Sequence, residues 1–125
     1  MKFLYDDKLE SVMLPGRTVR EAIGKKGPVL TTAMRVCICE YSEASGPMEA
    51  HRHIEEACYV SKSDRAWVRY GSTKDCTEGK VMLTPGMLIH FPDWEWHVFE
   101  YEDGGMLELI CFYGSTEDRV PPTED

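Results

Sequence analysis

The feature that most constrains the fold is a long succession of short apolar segments rich in β-branched and aromatic residues. Clusters of Gly, Pro, Ser and Asp separate them, and such clusters end strands. The segments, in chain order, are AMRVCICEYS, ACYVS, RAWVRYG, KVMLT, MLIHFP, WHVFEY and MLELICFYG. Because no helical repeat accompanies them, this spacing predicts an all-β sandwich or barrel rather than a parallel α/β sheet.

The length of the chain, 125 residues, fits one domain with a single core. We divide it into an N-terminal arm over residues 1–30, a barrel over residues 31–114 and an acidic tail over residues 115–125. The arm contains a Pro-Gly turn and a candidate turn of helix over residues 19–23. The tail is polar and contains proline, and we expect it to be extended or partly disordered.

The charge of the chain disfavours nucleic acid as a partner. Fourteen basic and 22 acidic residues give a formal net charge of −8, and no basic cluster is longer than the pair Lys25-Lys26. The first residues lack an apolar leader segment, and no window approaches the roughly 20 apolar residues that a membrane span requires. We therefore expect a cytoplasmic protein whose partner is a small molecule, with no membrane contact.

The cysteines are odd in number and lie mostly within apolar segments, which favours free buried thiols. They are Cys37, Cys39, Cys58, Cys76 and Cys111. Cys37 and Cys39 share one face of a predicted strand, but no second cysteine pair completes a four-thiolate zinc site.

The stretch GPMEAHRHIEEACYV carries the densest group of ionisable residues, with His51, His53, Glu55 and Glu56 inside six positions. Residues two apart on a strand point to the same side, about 7 Å apart, so both imidazoles can reach one ion. Imidazole with carboxylate suits first-row divalent metals. The pair alone is equally compatible with a solvated strand face, but His97, far along the chain, enters another β-rich segment and offers a further ligand.

Two motifs in this chain resemble those of the cupin superfamily, in the form of a small single-domain protein. The first motif is matched by Gly46, His51, His53, Glu56 and Ser63. The second is matched by Gly86, Pro92, Trp94, His97 and Tyr101. Cupins usually have glycine at the positions of Ser63 and Trp94 and asparagine at that of Tyr101, and the first motif here is shorter by one residue before His51 and by one after His53. None of these departures removes a ligand.

The resemblance implies a double-stranded β-helix jelly-roll barrel that holds one divalent metal ion, which is Fe, Mn, Ni, Co or Zn. The implied ligands are His51, His53, Glu56 and His97. Strand parity leaves Glu55 open as an alternative to Glu56, because a slip of one residue exchanges the two faces. The resemblance also implies a homodimer.

The function that follows is that of a metal-binding enzyme acting on a small polar or anionic metabolite, as an oxygenase, isomerase or lyase. Glu55, if it is not a ligand, is a candidate catalytic acid or base. No residue is assigned to an organic cofactor. The alternative is a non-catalytic barrel that binds or senses a small molecule.

Four further residues have two interpretations each. Arg35 shares a parity with Cys37, and inside a barrel it requires a carboxylate or a substrate anion. Arg65 and Arg69 alternate onto one face that is either an anion site or an exposed surface. His90 is expected to be a core histidine or a neighbour of the metal ligands rather than a fifth ligand.

Overall fold

The computed structural model describes residues 1–116 and confirms the predicted all-β class. Its strands are β1 Val12–Leu14, β2 Arg17–Gly24, β3 Val29–Leu30, β4 Arg35–Tyr41, β5 Glu56–Gly71, β6 Gly79–Met82, β7 Leu88–Phe91 and β8 Trp96–Tyr113. Two single-turn 3-10 helices, Asp6–Lys8 and Glu43–Ser45, complete the regular elements of this part. Within it, no helix is long and apolar enough to cross a membrane. The predicted tail, apart from residues 115 and 116, lies outside the described residues.

The strands form one sheet in the order β1-β2-β4-β8-β5-β6, with β3 added to β2 and β7 added to β5. The two longest strands, β5 and β8, pair antiparallel along most of their length, from Glu56 opposite Tyr113 to Gly71 opposite Trp96. The register shifts twice within this ladder, after Val60 and after Asp64. Bulges of this kind bend a strand, so the two halves of the sheet face each other across a common core.

The core lies between these halves and is filled by the inward positions of the strands. Along β4, for example, Cys37, Cys39 and Tyr41 are buried while the residues between them are partly exposed. Beside them in the sheet, the neighbouring strand β8 contributes Leu107, Leu109 and Cys111, each almost fully buried. All five cysteines are buried and free, as expected from the sequence.

The segment that precedes the predicted barrel contributes three strands to the sheet. Residues 19–23 belong to β2 and are extended, so the expected turn of helix is wrong. Alternation explains the strand: Val19 is buried opposite Cys39 of β4, whereas the next residue, Arg20, belongs to the other face of the sheet. The division into arm, barrel and tail stays a prediction.

A two-residue turn sets the start of β2. Pro15 and Gly16 join β1 to β2, with Leu14 paired to Arg17 across the hairpin. Gly16 has φ +87°, a conformation that glycine adopts without strain, and a Cβ there would lie 2.7 Å from the Cα of Met48. Its N–H also donates to the carbonyl of Ser45 at 3.0 Å. The turn therefore fixes the direction in which Arg17 leaves the hairpin.

We expect Gly16→Ala to lower the free energy of unfolding by about 2–3 kcal/mol, since it adds backbone strain and a clash with Met48. Gly86→Ala is the matched control, because Gly86 also has positive φ, +96°, but nothing lies within 4 Å of an added Cβ. Its expected cost is about 1 kcal/mol. Urea denaturation of the three proteins measures both; equal costs would contradict the close approach at Gly16.

Candidate metal centre

The three histidines of the two motifs meet at one end of the barrel through backbone pairing. His51 and His97 form a two-way bridge: each donates its N–H to the carbonyl of the other at 3.0 Å. The carbonyl of His53 accepts the N–H of Trp94 at 2.8 Å. His53 therefore lies in an extended loop held against the start of β8, and not in a strand as the sequence predicted, because β5 begins only at Glu56.

The imidazole rings form a compact triangle. Their centroids are 5.2 Å apart for His51 and His53, 4.5 Å for His51 and His97, and 5.0 Å for His53 and His97. One ring nitrogen from each lies within 4.8 Å of the other two. The ring of Phe91 stacks on that of His97, with centroids 4.0 Å apart and an interplanar angle of 18°, which restricts its rotation.

The hydrogen bonds made by Nδ1 of two histidines define which tautomer is present. Nδ1 of His53 lies 2.8 Å from the carbonyl of Ile54, and Nδ1 of His97 lies 3.0 Å from the carbonyl of Glu95. Since a carbonyl only accepts, each Nδ1 carries the proton and each Nε2 is left for the cluster. Nε2 of His97 is buried and has no hydrogen-bond partner within residues 1–116. This arrangement is typical of histidines that bind a metal.

Glu56 supplies the carboxylate of the cluster. It is 3% exposed, and its Oε1 lies 3.3 Å from Nε2 of His53 and 3.8 Å from Nε2 of His97. Burial alone would raise the pKa of Glu56, but chiefly the hydrogen bond and charge of His53 hold it below its ordinary value. The carboxylate is therefore ionised inside the barrel.

The environment keeps two imidazoles neutral and favours a proton on the third. Burial, with the charges of His97 and His53, lowers the pKa of His51 to about 3. Burial likewise lowers the pKa of His97 to about 4, although the charge of Glu56 opposes it. Burial would lower the pKa of His53 too, but the hydrogen bond and charge of Glu56 outweigh burial and raise this pKa above its ordinary value. His53 and Glu56 thus behave as an ion pair when no cation is bound.

The structure separates the two glutamates that the sequence left open. Glu55 points away from the cluster: its side chain is 61% exposed and its Oε2 lies 2.6 Å from Nε2 of His90. His90 is 59% exposed, so the expectation of a core histidine or a neighbour of the ligands is wrong. Glu55 lies at the surface because β5 begins with Glu56 facing inward, which places its neighbour on the opposite face. Its role as a catalytic acid or base stays a prediction.

A cavity of about 150 Å³ opens beside the histidines. Besides the cluster, its lining includes Arg17, Arg35, Tyr41, Phe99 and Tyr113. Arg17 went unnoticed in the sequence because it lies in a segment without a strong strand pattern; only its place directly after a Pro-Gly turn was visible.

Arg35 lies where a second cavity of about 530 Å³ adjoins the first, since Val19 and Arg35 line both. Its Nε donates to Oε1 of Glu21 at 2.7 Å, and its guanidinium lies 5.0 Å from the ring centroid of Tyr113. The carboxylate that the sequence required for Arg35 is thus Glu21, from the neighbouring strand β2.

A second group of potential ligands lies deeper in the barrel. Glu56, Cys58 and Cys111 present one ligand atom each within 4.8 Å of one another, and the two sulfurs are 3.8 Å apart. Hydrogen bonds to neighbouring cysteines act first on the pKa of both thiols, and with burial and the charge of Glu56 the net effect is a raised pKa. They are therefore protonated, which makes them poorer ligands than the neutral imidazoles above them.

The remaining motif residues have structural positions. Trp94 has φ +65°, a conformation that glycine adopts without strain, and it stands where the motif has glycine. The hydroxyl of Tyr101 donates to the carbonyl of Gly46 at 3.2 Å and so ties the second motif to the first. Arg65 is paired with Asp64 and Arg69 with Glu100, both at the surface of the barrel.

Solved structures with the same fold cover 90% or more of the chain. The polyketide cyclase RemF from Streptomyces resistomycificus is 20% identical with a TM-score of 0.74, and the match covers 100% of this chain and 89% of that chain. A cupin-2 domain protein from Rhodospirillum rubrum is 16% identical with a TM-score of 0.67, over 99% and 81% of the two chains. Fe(II)-HppE with the alternative substrate (S)-1-HPP is 12% identical with a TM-score of 0.67, over 90% of this chain and 60% of that longer chain.

Sequence comparison gives no nearer relative, since neither a protein-family model nor a curated protein matches the chain. The structural matches, the antiparallel barrel and the two motifs at facing positions agree with one another. The chain is a small single-domain protein with the cupin fold.

Proposed function

We propose that this protein is a metal-dependent enzyme that acts on a small polar or anionic molecule. The observation that supports it most strongly is the buried Nε2 of His97, which has no partner within residues 1–116 and faces two further imidazoles and an ionised carboxylate. A buried polar atom without a partner destabilises the folded state, and a cation bound at this position would supply the partner that Nε2 lacks.

The residues fit a first-row divalent ion. His51, His53 and His97 would hold it through neutral nitrogens, with Glu56 as the carboxylate ligand. When bound, such an ion supplies Lewis-acid activation of a substrate oxygen or water, or a redox centre. The iron(II) in the HppE structure makes Fe(II) the first ion to test.

The chain's own groups orient this site. Tyr113 lines the cavity together with Glu56 and contributes to its lowered pKa. Burial raises the pKa of the Tyr113 phenol well above the usual value. The phenol therefore stays protonated and remains a hydrogen-bond donor at the edge of the cavity. Phe91 and Phe99 pack around His97 and exclude water from its buried face.

The neighbours support the proposal only in a general way. A polyketide cyclase and an iron(II) protein solved with a substrate both use this fold. Fold alone does not choose a reaction, so the choice among oxygenase, isomerase and lyase chemistry needs a substrate.

A non-catalytic binding protein is the second candidate, and the position of Glu55 favours it. With Glu55 on the surface and Glu56 committed to the histidines, the described residues offer no uncommitted carboxylate beside the cluster for proton transfer. The same pocket would then bind its ligand without converting it. Turnover of the bound ligand separates the two candidates.

We expect protein purified without an affinity tag to contain close to one divalent metal ion per chain, and His97→Ala to lose most of it, because it removes the buried nitrogen. His90→Ala is the matched control and should retain full occupancy, since His90 is exposed and pairs only with Glu55. Plasma mass spectrometry measures metal content. A chain that retains no metal even after incubation with Fe(II), Mn(II), Ni(II), Co(II) and Zn(II) would sink the proposal.

The two adjacent glutamates give a second test. Glu56→Gln should weaken metal affinity at least tenfold, because it removes the anionic ligand, while Glu55→Gln should leave it unchanged. Competition with a chromophoric chelator measures both. Equal effects, or a larger effect for Glu55→Gln, would show that Glu56 is not a ligand.

Metal affinity should fall as the pH is lowered, because protons compete for the imidazoles. The pKa of His53 is raised above 6.5, so its protonation reduces affinity first, with a slope of about one proton per metal. His51 and His97, with pKa values of about 3 and 4, add to the slope only in more acidic solution. Chelator competition at pH 8 to 5 measures the slope, and a slope near three throughout would contradict this order of protonation.

A further inference from the structure

We propose that the molecule bound beside the histidine cluster is a small organic acid, a carboxylate or phosphonate, whose anionic group pairs with Arg17. The inference rests on the proposed function of this site and narrows its substrate class. Arg17 is assigned here as the residue that recognises the acid group.

The backbone position of Arg17 is fixed by the turn that precedes it. The Pro15-Gly16 turn places it as the first residue of β2, and its side chain lines the cavity together with His51, His53 and Glu56. Because Arg17 and the histidines line the same cavity, one small molecule bound there can contact both.

Arg17 differs from the other arginines of the described chain in having no partner there. Within residues 1–116 its guanidinium makes no hydrogen bond and no ion pair. The five others contact a carboxylate or an aromatic ring: Arg20 with Asp6, Arg35 with Glu21, Arg52 with Trp96, Arg65 with Asp64 and Arg69 with Glu100. A half-buried guanidinium without an acceptor is costly, because burial removes water that would otherwise solvate it.

Among the described residues that line this cavity, Glu56 supplies the carboxylate, and it lies 3.3 Å from His53. Arg35, which also lines the cavity, is balanced by Glu21 at 2.7 Å. The positive charge of Arg17 is therefore uncompensated in the cavity, and a divalent cation on the histidines would add to the excess. An anionic ligand balances it, and the planar guanidinium matches the two oxygens of a carboxylate or phosphonate.

The size of the cavity limits the ligand. A cavity of about 150 Å³ accommodates a molecule of about six non-hydrogen atoms. This corresponds to an acid of two to four carbons. Its acid group would lie on Arg17, and its remaining polar atom would face the histidines.

The test is calorimetric titration of the whole chain, metal-free and after loading with one divalent ion. The probes are acetate, glycolate, lactate, pyruvate and methylphosphonate. Each of the carboxylates is compared with its neutral amide. We expect at least one acid to bind tenfold or more tightly than the amide, and Arg17→Gln to abolish this preference. Arg17→Lys keeps the positive charge but loses the planar guanidinium that can donate two parallel hydrogen bonds, so it should retain part of the preference for acids.

Arg65→Gln is the control for the same change of charge, because Arg65 lies on the surface and is paired with Asp64. It should bind the acids as the wild type does, and Arg17→Gln should bind metal normally. The proposal is overturned if no acid is preferred to its amide, or if the preference survives in Arg17→Gln. If the wild type prefers acids through Arg17 but takes up no metal, the acid site stands and the metal-dependent function fails.

Discussion

The antiparallel ladder between β5 and β8 is the constraint on which the rest of the structure depends. It is the longest pairing in the sheet. Its two register shifts bend β5 and β8, so that each of these strands contributes to both halves of the barrel. Glu56 begins β5, and His97 is the second residue of β8, so the same ladder that forms the core also determines how far apart these two side chains lie. Most changes in register would move one of them out of the interior.

The chemistry of the site follows from placing one carboxylate among three imidazoles in a dry environment. Burial opposes charge on every member, and only the His53–Glu56 pair compensates its own charges. His51 and His97 resist protonation for that reason. The cluster is therefore prepared for a cation before one arrives, and its backbone hydrogen bonds reduce the reorganisation that binding requires.

The sequence predicts the fold and the histidine cluster well because both depend on local patterns. Short β-rich segments with turn residues between them specify the barrel, and the two motifs bring His51, His53 and His97 together. The resemblance favoured Glu56, but strand parity alone could not exclude Glu55, because the face depends on where β5 begins, which backbone contacts with β7 and β8 decide. Arg17 was missed because its role depends on a hairpin whose pairing with β4 is a long-range contact.

The Arg35–Glu21 pair has a consequence for the space available to a ligand. Because Arg35 lines both the small cavity beside the histidines and the larger one under the N-terminal segment, the wall between them consists partly of one ion pair. An ion pair at a partly exposed position is a weaker barrier than close-packed apolar side chains. The space beside the histidines is therefore bounded in part by these two side chains, and shortening either one would enlarge it while leaving the charge of its partner unpaired.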